Sequence, residues 1–287
     1  MTNKSSITNR VTPKLLQEGD NIALVAPARV ASKKLIQEAS AFVEEAGFTS
    51  VVFDGLDSRS NQFGGDDEHR ASLLNQAFCD TSIRAVLALR GGYGSARLLP
   101  LLDAEAYLND PTWIVGFSDI TTLHAWSNNL GIASLHAPVA STMKSTNEED
   151  VQWVWDTLRG NLPRVFDETI VGGNLSVLYS LMGTPFFPDC TDSYLFIEDL
   201  DEFTYHIERM MVSLKLAGVF EQARGLIVGS FTDLKDNTKE YGQSVDNPFG
   251  LNYKEIITSH VPEGYLVRFD MPIGHGDRNY PIILGAP

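Results

Sequence analysis

Apolar positions along this chain fall into short unbroken runs that alternate with stretches of helical spacing, and most runs end in a turn bearing glycine or proline. Residues 22–26 form one such run, closed by Pro27, as a parallel strand buried on both faces should read. Ser32 then caps a helix whose apolar positions Leu35, Ile36, Ala39, Phe42, Val43 and Ala46 share a face, and Gly47 ends it. A strand over 50–53, a polar loop over 57–67 and a helix over 68–78 follow. Residues 84–89 make the next strand, which breaks into Arg90-Gly91-Gly92-Tyr93-Gly94 before a helix over 95–102. A strand over 113–115 breaks at Gly116-Phe117-Ser118-Asp119 before a helix over 120–128. Repetition of strand, turn and helix predicts a parallel sheet with helices on both faces and working loops at the strands' carboxyl ends.

Between 143 and 163 the chain turns polar, passes through a short helix holding Trp153 and Trp155, and ends at Gly160 and Pro163. The two tryptophans read as packing against a domain junction. Beyond it, strands over 194–197 and 225–228 flank a helix over 205–216, and the later segments lose periodicity. The expected fold is α/β: an N-terminal parallel-sheet domain of flavodoxin- or Rossmann-like type (1–150), a linker (151–163) and a smaller C-terminal mixed α/β domain (164–287).

Hydrophobic residues at 43% and charged ones at 21% of 287 residues describe an ordinary folded chain. A formal charge of −15 sets a repulsive field against polyphosphates, so nucleic acid is not an expected partner. Cys79 and Cys190 lie outside any C-x-x-C spacing and read as two buried free thiols, with no cysteine metal site. The first 16 residues lack the apolar core of a signal peptide, and no apolar run approaches a bilayer span. A cytoplasmic protein with no membrane association is the expectation.

The turn at Ser118 follows a buried strand and opens a helix, which resembles a nucleophile elbow, although Ile120 stands where G-x-S-x-G has its second glycine. A capping serine explains it as well. Gly91, Gly92 and Gly94 end another strand, where a backbone N–H could approach a reacting oxygen. Their pattern matches neither G-x-G-x-x-G nor a P-loop, and a tight structural turn is the plain alternative. Among the histidines, His69, His124, His206 and His260 fall in or at helices and read as structural. His136 could line a cleft, and His275, in Pro272-Ile273-Gly274-His275-Gly276, has room to present its imidazole. Glu198 closes an apolar strand and could orient that imidazole, whereas Asp199, Asp201 and Glu202 read as helix-starting or surface acids. Ser118, Glu198 and His275 follow one known chain order of nucleophile, acid and base.

These residues resemble the LD-carboxypeptidase family of serine peptidases, which also contains the microcin C self-immunity hydrolases. The likeness runs from about Gly19 to Gly285 through Ala23-Leu-Val-Ala-Pro-Ala28, Arg90-Gly-Gly-Tyr-Gly-Ser95, Gly116-Phe-Ser-Asp-Ile-Thr121, Gly172-Gly-Asn-Leu175, Gly183-Thr-Pro185, Glu198-Asp199 and Pro272-Ile-Gly-His275 with Asn279 and Pro281. The resemblance implies a Ser-His-Glu triad split between two domains: Ser118 the nucleophile, His275 the general base, Glu198 the orienting acid. It places the oxyanion hole at the N–H groups of Gly92, with Gly91 beside it, and Asp119. It further implies a metal-independent, cofactor-free cytoplasmic homodimer that releases terminal D-alanine from murein tetrapeptide. The carboxylate of the leaving residue needs a cationic partner, for which Arg90, Arg209 and Arg278 are candidates.

The sequence ends at Leu284-Gly-Ala-Pro287, where relatives usually continue through a further strand. Within the family the competing activity is hydrolysis of an aminoacyl nucleotide, which needs an aromatic platform; Phe231, Tyr241 and Phe249 are available for it. Outside the family stand a non-catalytic small-molecule-binding protein and a general esterase, the latter disfavoured by Ile120.

Overall fold

The computed structural model describes residues 10–161, 166–237 and 247–286. Strands β1 (Asn21–Val25), β2 (Thr49–Val51), β3 (Ile83–Ala88), β4 (Trp113–Gly116) and β5 (Ser134–His136) pair in parallel. The last strand, β10 (Ile282–Leu284), adds antiparallel to β5, giving the order β10-β5-β4-β3-β1-β2. Side chains alternate across this sheet. Leu24, Leu87, Val115 and Leu135 face α1 (Lys33–Glu45), while Val25, Val86 and Ile114 face α2 (Asp67–Cys79).

The helices start where the capping signals stand. Ser32 Oγ accepts from the Leu35 N–H at 3.2 Å, and α1 buries Ile36, Ala39 and Val43. Asp66 caps α2, whose first turn carries Asp67 and Glu68 against the positive end of the helix dipole. The helix expected over 95–102 is a 3₁₀ helix over residues 95–101, with Pro100, which has no N–H to donate, near its end. After α3 (Ala104–Asn109), one 3₁₀ turn at 118–120 precedes α4 (Thr121–Asn129). Cys79, expected inside, ends α2 on the solvent side, while Cys190 is buried.

Beyond α5 (Ala140–Met143), the stretch read as a linker is mostly helix α6 (Glu148–Leu158), which packs Val154, Trp155 and Leu158 into the first core. Trp155 lies 6.0 Å from Phe48, and Trp153 lies 6.2 Å from Tyr280, across the junction. Pro163 lies outside the described residues.

The second half holds β6 (Ile170–Asn174), α7 (Leu175–Leu181), β7 (Tyr194–Leu200), α8 (Thr204–Leu216), α9 (Val219–Gln222), β8 (Gly225–Thr232), α10 (Tyr253–His260) and β9 (Val267–Arg268). Its sheet has the order β6-β7-β8-β9, with every pairing parallel. One face packs Leu195, Ile197, Leu226 and Val228 on α8 and α10. The other packs Phe196 and Ile227 with Ile273 and Ile282, so β10 joins the two sheets through one apolar seam.

Candidate active site

β4 delivers Phe117 in extended conformation, and Ser118 then takes φ +65°. A non-glycine residue in the left-handed region costs about 1–2 kcal/mol, which the flanking buried strand and helix sustain. The reversal breaks the chain direction and leaves Ser118 half-buried at the top of the sheet. Gly91 lies directly against it: a Cβ there would stand 3.1 Å from Ser118 Cβ, 3.2 Å from its Oγ and 3.5 Å from the Asp119 nitrogen.

The two turns are tied together underneath. The buried Asp119 carboxylate accepts from the Ser95 N–H at 2.9 Å, and Ser95 Oγ lies 2.6 Å from both Asp119 O and Thr122 Oγ1. Burial pushes the Asp119 carboxyl above its ordinary range, against the pull of these donors. Arg70, with its guanidinium inside the protein, donates to the carbonyls of Pro27 and Gly94 and pairs with Asp67. The Gly92 and Asp119 N–H groups themselves meet no acceptor among the described residues. They are therefore free to donate to a ligand oxygen.

Glu198 sits where the β7–β8 register slips between Ile197 and Asp199. The strand expected to stop at 197 continues to Leu200, and the irregularity aims Glu198 at the 272–281 loop. Its fully buried Oε2 accepts from His275 Nδ1 at 2.6 Å and from the His275 backbone N–H at 3.2 Å. With Nδ1 donating, Nε2 carries the free lone pair. Burial opposes charging of His275, but the charge and hydrogen bond of Glu198, together with the charge of Asp199, outweigh it and raise the imidazole above its ordinary value.

Backbone contacts hold the loop. Ser230 N–H donates to Ile273 O at 2.9 Å, Thr232 Oγ1 to His275 O at 2.9 Å and Gly274 N–H to Asn279 Oδ1 at 2.9 Å. Gly274, at φ +112°, lets the chain pass so close to Glu198 that a Cβ would fall 2.6 Å from Oε2. The His275 ring centroid is 4.5 Å from that of Phe117, the residue before Ser118. Three distant segments thus meet at one place. On the other side, the Asn174 N–H donates to Thr121 Oγ1 at 2.9 Å, docking the Gly172-Gly-Asn-Leu175 motif onto the helix that follows Ser118.

Other sequence candidates lie elsewhere. His136 does not line a cleft: it is fully buried at the end of β5, edge-on to Phe196 at 5.1 Å, and burial keeps it well below its ordinary value. Asp199 is no surface acid. It is buried and accepts from Asn174 Nδ2, the Ser176 N–H and the Leu200 N–H, each at 2.9 Å, and burial beside Glu198 pushes it up to about 7. A polar pair inside an apolar strand was the signal for it, since successive strand residues face opposite ways.

Arg278 is held by Asp150, at 2.6–3.0 Å, and by Glu149, which straps the His275 loop to α6. Arg209 is exposed on α8, over the Tyr205 ring. Arg90 donates to Val30 O at 3.3 Å and lines a groove of about 390 Å³ with Lys33, Asp57 and Arg59. Phe231 stacks on Tyr253 at 4.9 Å, Phe249 packs on the second core, and Tyr241 lies outside the described residues. Among the described residues no group of three or more His, Cys, Asp or Glu is placed to hold a metal ion, and no helix is long and apolar enough to cross a membrane.

Comparison with known proteins bears on the family of the chain. The LD-carboxypeptidase N-terminal domain matches residues 22–137 and the LD-carboxypeptidase C-terminal domain matches 168–287. The "Probable murein peptide carboxypeptidase" of Bacillus subtilis (strain 168) is 30% identical, over 96% of this chain and 89% of its own length. The murein tetrapeptide carboxypeptidase of Pseudomonas aeruginosa is 29% identical, over 90% and 89%. Among solved structures, muramoyltetrapeptide carboxypeptidase from Oxalobacter formigenes superposes with TM-score 0.78 at 26% identity, covering 92% of each chain. MccF in complex with glutamyl sulfamoyl guanosine shares the fold at TM-score 0.79 and 20% identity, covering 95% of this chain and 93% of its own. With both domain families matched in order along one peptide, this chain belongs to the LD-carboxypeptidase family of peptidases.

Proposed function

We propose that this protein is a serine carboxypeptidase that releases the terminal D-alanine of murein tetrapeptide by hydrolysing an L,D-peptide bond. The observation that carries the reading is the His275–Glu198 pair, hydrogen-bonded at 2.6 Å and set against the strained turn of Ser118. Ser118 Oγ attacks the scissile carbonyl while His275 Nε2 takes its proton, and Glu198 holds the imidazole in the required tautomer and stabilises the imidazolium. The carbonyl oxygen, now an anion, accepts from the Gly92 and Asp119 N–H groups, with Gly91 beside them; one such donor is worth about 10²–10³ in rate. His275 returns the proton to the departing amine. Water, activated by the same imidazole, then cleaves the acyl-enzyme and restores Ser118.

The functional division is a nucleophile unit over 1–150 and an acid–base unit over 164–287, joined through 151–163. The family likeness adds a homodimer acting in the cytoplasm, for which light scattering and cell fractionation are the checks. Mass spectrometry after incubation with murein tetrapeptide, and separately with an aminoacyl sulfamoyl adenylate, tests the activity. Tripeptide should appear with wild-type protein and vanish with Ser118→Ala. Cleavage of the adenylate alone would transfer the site to the aminoacyl-nucleotide reading.

A further inference from the structure

We infer that Arg29, which no sequence motif singles out, holds the terminal carboxylate of the leaving amino acid; the inference rests on the carboxypeptidase reading above. The strand order β5-β4-β3-β1-β2 reverses direction between β1 and β3, and in doubly wound sheets ligands settle where the order reverses, outside the carboxyl ends of the strands. Here those two ends carry Arg29, after Ala26-Pro27-Ala28, and Gly91-Gly92. The consequence is direct contact. A Cβ on Gly92 would fall 2.6 Å from Arg29 Cδ and 2.7 Å from its Nε, while Gly91 faces Ser118.

The distances suit a carboxypeptidase. The carboxylate of the leaving residue lies about one residue length, 3.3–3.6 Å, beyond the scissile carbonyl. A cation packed on the backbone of one oxyanion donor is therefore within reach of it. Arg29 is exposed, and makes no ion pair or side-chain hydrogen bond with the described residues. Of the other arginines considered, Arg278 is bound to Asp150 and Glu149, Arg209 covers Tyr205, and the walls of the Arg90 groove include neither Gly91 nor Ser118. In a chain of net charge −15, an accessible cation without a carboxylate partner beside the nucleophile turn is what an anionic chain end requires. The planar guanidinium fork fits a carboxylate bidentately, which favours a free C-terminus over an internal peptide bond.

The test compares kcat/KM for murein tetrapeptide and for its C-terminal amide in wild type, Arg29→Ala, Arg29→Lys and Arg90→Ala. Wild type should prefer the free acid by about 10- to 100-fold, the scale of a charge-assisted contact on an accessible side chain. Arg29→Ala should bring that ratio close to one, Arg29→Lys should retain part of it, and Arg90→Ala should keep it. Unchanged thermal unfolding of Arg29→Ala separates this from loss of fold. A ratio that survives Arg29→Ala, or collapses in Arg90→Ala instead, overturns the assignment while leaving the carboxypeptidase reading intact. Wild-type protein that cleaves neither peptide overturns both.

Discussion

Gly91→Ala isolates the space between nucleophile and oxyanion donor. Gly91 is not among the residues with positive φ, so alanine meets no backbone penalty there, unlike Gly92 at φ +116°. The added methyl carbon would stand 3.1 Å from Ser118 Cβ, 3.2 Å from Ser118 Oγ and 3.5 Å from the Asp119 nitrogen. Carbon atoms pack at about 3.5–4.0 Å, so the neighbours must yield by a few tenths of an ångström. Overpacking of this size costs about 1 kcal/mol, offset in part by the 0.4–1 kcal/mol that alanine gains over glycine by restricting the unfolded chain. Stability should therefore hardly move. Activity should move a great deal, because the methyl crowds the space beside Ser118 Oγ and the Asp119 N–H, where the proposed mechanism puts the tetrahedral oxygen. Loss of one donor predicts a fall in kcat/KM of about 10²–10³. D-Alanine release, read by coupled oxidation, measures the rate, and calorimetry measures the unfolding midpoint. If Gly91→Ala keeps more than half the wild-type rate with an unchanged midpoint, the oxyanion hole lies elsewhere and the roles given to this turn fail.

Three further outcomes follow from the same geometry. Because Ser118 sits at φ +65°, Ser118→Gly should be more stable than Ser118→Ala by about 1 kcal/mol in urea denaturation, with both inactive; equal midpoints would show the turn to be unstrained. The base works unprotonated and its pKa is raised, so the acidic limb of kcat/KM should lie above the ordinary histidine value of 6.5. In Glu198→Gln the larger raising charge is gone while burial, which lowers the pKa, remains, opposed only by Asp199; the limb should move to lower pH as the rate drops by about 10⁴. A limb that stays in place in this variant would mean that another group titrates.

The strands of the first half, the caps at Ser32 and Asp66 and the turns at Gly91-Gly92 and Ser118 were legible in the sequence, because periodicity and capping act within a few residues. Ser118, Glu198 and His275 could be singled out by setting and order, yet contact between the last two depends on a register slip in β7 and on a loop strapped to β8 and α6, through bonds as distant in sequence as Arg278 to Asp150. Asp199 reads as surface when the strand is expected to stop at 197; only the extension of β7 to Leu200 between β6 and β8, with both sheet faces covered, buries it along with Glu198. Arg29 looked ordinary because its neighbour at Gly92 is supplied by strand order, which places β1 beside β3 although β2 lies between them in the chain. Local pattern decides which elements form. Long-range pairing, which no local periodicity encodes, decides which side chains meet and hence where the chemistry is placed.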